Sequence, residues 1–169
     1  MQGRTNNHTR AIVLGGLFSA LVLGATLIRV APTDKAYFHL GEAVIYATAV
    51  VFGRWYGGIA GAIGSGLADL LSGYAFWAPV TVAVKFVEGY VVGTVGYQAR
   101  PAKVLLAMVG GALILIAGYG IAAYGFFGIA GLPTELIGDS IQGLAGIVIG
   151  MLASRLLLRA TKQYRPNED

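Results

Sequence analysis

Six apolar stretches dominate this chain, at roughly residues 11–30, 39–54, 57–73, 77–97, 102–126 and 134–158, with short polar or Gly/Pro-rich breaks between them. Charged residues make up 12% of the 169, against about 25% in an ordinary soluble domain. Runs of this kind find their solvent in a bilayer, where a helix of about 20 residues crosses the hydrocarbon. The second and third runs are short for that length. They read either as one re-entrant hairpin or as two short or tilted spans. Arg54 and the turn Trp55-Tyr56-Gly57-Gly58 between them favour two spans. The runs do not alternate apolar with polar residues, which excludes a transmembrane β-barrel. The expected fold is an all-α membrane protein, one integral membrane domain over residues 1–169 with six transmembrane helices.

The glycine count of 26 suits helices that approach closely in lipid. With no cysteine, neither a disulfide framework nor a thiol metal site is available. The first apolar run continues well past a signal-peptide core, so no cleavable leader is expected.

Six spans place both termini on one side, and the basic residues indicate which. Arg4, Arg10, Arg54, Arg100, Lys103, Arg155, Arg159, Lys162 and Arg165 fall on one face, nine of the twelve lysines and arginines. Arg29 and Lys35 lie on the other face, and Lys85 lies within a span. The positive-inside rule makes the termini cytoplasmic.

With that orientation, the ionisable residues inside the spans converge in the outer half. His39, Glu42 and Tyr46 lie at i, i+3, i+7. Trp77, Thr81, Lys85 and Glu88 lie at i, i+4, i+8, i+11, and Glu135, Asp139 and Gln142 at i, i+4, i+7. Each set is one stripe on a helix face. At 1.5 Å per residue, Lys85 sits about 12 Å and Glu88 about 16 Å in from Trp77. A charge at the bilayer centre costs at least about 2.5–3.5 kcal/mol, so the stripes face one another rather than lipid. The expected result is an outward-open polar pocket drawing on His39, Glu42, Asp69, Tyr74, Trp77, Thr81, Lys85, Glu88, Tyr124, Asp139 and Gln142.

Plainer roles stand beside these. Lys85 and Glu88 could be a structural ion pair, Asp69 could bond the loop Ser72-Gly73-Tyr74, and Glu135 is a natural first-turn acid. Tyr74, Phe76 and Trp77 could form an interfacial aromatic belt. His39-x-x-Glu42 has the look of a metal pair, but no third histidine stands nearby, and no metal or other cofactor is expected.

Two further spans carry small residues at helical spacing: Gly16, Ala20 and Gly24, every fourth position, in the first, and Gly57, Gly61, Gly64 and Ala68, three or four apart, in the third. Either stripe packs inside the bundle or against another subunit. No P-loop and no nucleophilic triad is present, so the chain reads as a binding site without a motor, and not as an enzyme. A stand-alone cation- or proton-coupled transporter or channel is the alternative, and a non-transport scaffold a third reading.

Phe38-His-Leu-Gly-Glu-Ala-Val-Ile45, Gly61-Ala-Ile-Gly-Ser-Gly-Leu-Ala-Asp-Leu-Leu-Ser-Gly-Tyr74 and Ala78-Pro-Val-Thr-Val-Ala-Val-Lys-Phe-Val-Glu-Gly89 together resemble the S components of energy-coupling factor (ECF) vitamin transporters. The closest group is that assigned to hydroxymethylpyrimidine, pyridoxine-like compounds or riboflavin. Glu42 stands where the first motif is expected to carry Asp. The resemblance implies high-affinity capture of a water-soluble vitamin or precursor from outside, with Ala31–Phe38 as a lid. It further implies docking through Gly16, Ala20 and Gly24 to a transmembrane coupling protein driven by two ATPases, and no nucleic-acid partner.

Overall fold

Among the described residues, long apolar runs with glycine at their crossings fold into six α-helices. The computed structural model describes backbone over residues 2–33 and 36–163, and side chains over 8–28 and 39–160. Helix α1 spans Gln2–Leu27, α2 Gly41–Phe52, α3 Arg54–Leu71, α4 Ala78–Gly96, α5 Pro101–Phe127 and α6 Leu132–Gln163. A 3₁₀ turn, Gly128–Ala130, leads into α6. Pro79 and Pro101 open α4 and α5, where a missing backbone N–H costs nothing. Among the described residues, four helical stretches are long and apolar enough to cross a membrane: His8–Leu27, Ala78–Gly96, Pro101–Ala130 and Leu132–Ala160.

The second element is shorter than the apolar run suggests. With 12 residues, α2 rises about 18 Å, well short of a bilayer core of about 30 Å. It ends at Gly53, whose φ of +97° turns the chain directly into α3; that left-handed region is natural only for glycine.

The segment before α2 holds a two-stranded antiparallel hairpin, β1 (Arg29–Thr33) and β2 (Ala36–His39), where a loop was expected. Arg29 pairs with His39 and Val30 with Phe38, with an irregularity before Thr33 and Ala36. Asp34 and Lys35, within the expected lid, lie outside the described residues. The Leu40 N–H returns to the Ala25 carbonyl at 3.2 Å, which ties the hairpin's end to the last turn of α1.

The two small-residue stripes part company. The α3 stripe is internal. A Cβ at Gly57 or Gly61 would meet the α4 carbonyls of Gly89 or Lys85 at 2.9 Å, and one at Gly64 would meet the Ser19 carbonyl of α1 at 2.6 Å. The α1 stripe faces outward: Ala20 is exposed, and nothing lies within 4 Å of a Cβ at Gly16 or Gly24.

The bundle has two unlike ends. At one, α1, α3 and α5 finish and α2, α4 and α6 begin, beside the hairpin. The other carries exposed Arg10, Arg54, Arg100, Lys103, Arg155 and Arg159. Between them lies a core of Phe18, Val22, Ile45, Tyr46, Val50, Val92 and Met108 with their neighbours. Phe18 packs on Phe52 and Tyr56 with ring centroids 4.5 and 5.9 Å away. Outward faces are apolar, with Ile121 75% and Leu106 69% exposed, as a lipid-facing surface requires.

Candidate functional site

A cavity of about 190 Å³ opens at the hairpin end. Thr26 of α1, His39, Ser65 and Asp69 of α3, Tyr74, and Trp77, Thr81 and Lys85 line one part of it. Tyr119 of α5 and Thr134, Glu135, Gly138, Asp139 and Gln142 of α6 complete the wall. Helical spacing explains the grouping: residues three or four apart on α4 and α6 share a face, and those faces turn toward each other.

Beneath the cavity lies a charged network. The Lys85 ammonium donates to Glu42 Oε1 and, at 3.2 Å, to Glu88 Oε2. Tyr46 donates to Glu88 Oε1 at 2.7 Å, and Gln142 Nε2 to Glu42 Oε1 at 2.9 Å. Glu42 and Glu88 are fully buried, and Lys85 nearly so. Gly146 makes room for the contact: a Cβ there would fall 2.5 Å from Glu42 Cβ, so a larger residue would push α6 and Gln142 away. An ion buried this deeply is tolerable only when paired and hydrogen-bonded, as here.

A second chain of hydrogen bonds crosses the wall. The Tyr119 hydroxyl donates to Thr81 Oγ1 at 2.9 Å, and Thr81 donates to Asp69 Oδ2 at 2.5 Å. The Lys85 ammonium also lies 5.5 Å from the centre of the Tyr119 ring, a favourable cation–π distance. His39 Nδ1 accepts the Gly41 N–H at 3.2 Å, so the imidazole also caps the start of α2. Among the described residues, no cluster of three or more His, Asp or Glu forms a metal-binding group.

Of the residues picked from sequence, His39, Asp69, Tyr74, Trp77, Thr81, Lys85, Asp139 and Gln142 line the cavity. Glu42 and Glu88 do not; they stand behind Lys85 and Gln142 and hold them. Tyr124 is 59% exposed and absent from the lining. Tyr119 takes the inward place, because five residues along a helix is a rotation of about 140°. Thr26, Ser65, Tyr119, Thr134 and Gly138 join the wall without having been singled out. Glu135, weighed as a first-turn acid, lines it too.

The fold and the cavity define a class, that of multi-pass helical membrane proteins with a polar, half-buried cavity near one end. The family model of the ECF-type riboflavin transporter S component matches residues 6–162. The chain therefore belongs to this family, whose members are substrate-binding subunits of ECF transporters rather than enzymes. A Pyrococcus woesei chain, described only as an uncharacterized protein in the gap 3' region, is 36% identical over 137 residues, covering 78% of this chain and 89% of the relative.

Proposed function

We propose that this chain captures a water-soluble vitamin or vitamin precursor in the cavity at its hairpin end, for import driven by separate ECF subunits. One observation carries the reading: in a chain of the S-component family, polar residues from five of the six helices converge on a single cavity above an apolar core. Intramembrane polar groups that face a cavity mark a solute path by default.

The cavity faces outward and both termini are cytoplasmic. Supporting this, the exposed arginines and Lys103 collect at the opposite end of the bundle, where the positive-inside rule puts the cytoplasm. The hairpin acts as the lid. The outward α1 face of Gly16, Ala20 and Gly24 takes the transmembrane coupling protein, to which two ATPases supply energy. Riboflavin, the substrate in the family's name, is the reference ligand.

Calorimetry on the purified full chain, with riboflavin and a panel of other water-soluble vitamins and precursors, tests the reading. Binding of at least one in the nanomolar to micromolar range is expected. No binding across the panel would overturn it.

A further inference from the structure

We propose that the cavity selects a compact organic cation, a protonated amine carried on a single aromatic ring, and that Asp139 is the carboxylate that receives its charged donor. The inference rests on the capture reading above and narrows its ligand.

Charge comes first. Lys85 is the only ammonium or guanidinium among the described lining residues, and it is already engaged. Glu42 and Glu88 take its hydrogen bonds, and the Tyr119 ring lies beside it. An anionic ligand would have to draw Lys85 away from two buried carboxylates. Asp69, Glu135 and Asp139 also line the cavity, with the His39 imidazole as the other basic group there. Among the described residues, five carboxylates therefore stand on or just beneath the wall against one ammonium and one imidazole.

Hydrogen bonding points the same way. Asp139 is 8% exposed, and its Oδ2 has no hydrogen-bond partner. The hydroxyls of Thr26 and Ser65, 5% and 2% exposed, are likewise unpartnered on the same wall. A buried polar atom without a partner costs about 1–3 kcal/mol, more when charged. By contrast, the Tyr119 and Thr81 hydroxyl protons are already committed along their chain to Asp69. The wall thus presents one unmet carboxylate acceptor, Asp139 Oδ2, beside two hydroxyls free to accept or donate.

Size sets the last limit. About 190 Å³ lies below the roughly 300–1,000 Å³ typical of pockets for drug-sized ligands. One aromatic ring can rest on Trp77, whose indole is braced by Tyr119 and Phe126 with centroids 5.8 and 5.3 Å away. The three fused rings and polyol chain of riboflavin would extend beyond this enclosed part toward the open mouth, and they bring no cation to Asp139.

The test uses one ring with three substituents. Pyridoxamine carries an ammonium, pyridoxine a neutral alcohol and 4-pyridoxic acid a carboxylate; riboflavin is the fourth probe, and the full chain in nanodiscs the receptor. Pyridoxamine should bind at least about tenfold more tightly than the acid and than riboflavin, as a charge-assisted contact allows. Asp139→Asn should cost pyridoxamine about tenfold to a hundredfold in affinity, with the change for pyridoxine several times smaller. Riboflavin as the tightest ligand, the acid binding as well as the amine, or no binding of any pyridine would each overturn the inference. An unchanged pyridoxamine affinity in a folded Asp139→Asn protein would do the same. If that variant does not fold, the wild-type order of amine over acid decides. Riboflavin binding alone would leave the capture reading standing, whereas silence from every vitamin would remove both.

Discussion

Replacing Lys85 with methionine removes the one positive charge between two fully buried carboxylates. At 3.2 Å and an effective dielectric of about 20, the Lys85–Glu88 attraction alone is about 5 kcal/mol before desolvation. Glu42 makes a second contact on the same ammonium. Desolvation of the three ions offsets much of this, so the intact network adds little net stability. Breaking it is another matter. Loss of one partner strands buried charge and costs about 3–5 kcal/mol. The triple variant Lys85→Met/Glu42→Gln/Glu88→Gln removes the charges together and should recover at least half of that loss. Reversible unfolding of the ligand-free proteins in mixed micelles, fitted by linear extrapolation, measures all three. A single variant within about 1 kcal/mol of wild type, or a triple variant weaker than the single, would refute the network as the structural floor of the cavity.

Three further outcomes are expected. Gly89→Ala sets a methyl group against the Gly57 carbonyl on α3, and should lower stability by about 1–3 kcal/mol in the same unfolding assay. The chain has no native cysteine, so single replacements report topology cleanly: with an impermeant maleimide, Ala75→Cys should label in intact cells and Lys103→Cys only after permeabilisation, and the reverse pattern would invert the proposed orientation. Ala20→Trp on the outward α1 face should abolish uptake in cells while leaving ligand affinity of the purified chain unchanged; equal loss of both would remove α1 from the docking role.

Helix number and approximate position were legible because apolar length and Gly/Pro breaks are one-dimensional signals. The hairpin was not: its strands are five and four residues long, too short for an alternating pattern to stand out from a polar loop. The stripes on α4 and α6 were readable because charged residues at helical spacing fix a face. On α5, apolar nearly all round, no face is marked, so Tyr124 was chosen where Tyr119 lines the wall. Single hydroxyl residues such as Thr26 and Ser65 are equally silent, since isolated Ser and Thr occur on any helix face. Depth along one helix also cannot separate a group on the wall from one behind it, which is why Glu42 and Glu88 were expected as lining. Their shared hold on Lys85 joins residues 42, 85 and 88, a pairing between α2 and α4 that spacing within either helix does not contain.

The apolar core under the Lys85 network has a consequence for what the chain does alone. Below the cavity lie the charged floor, then the packed side chains of Ile45, Val50, Val92 and Met108, and finally the Phe18, Phe52 and Tyr56 rings, all in the way of the solute proposed to rest on Trp77 and Asp139. The bundle is a cup rather than a tube. On the proposed capture reading, its occupancy would follow the concentration on one side of the membrane, so in sealed vesicles the chain alone should neither dissipate a gradient of its ligand nor be driven by one.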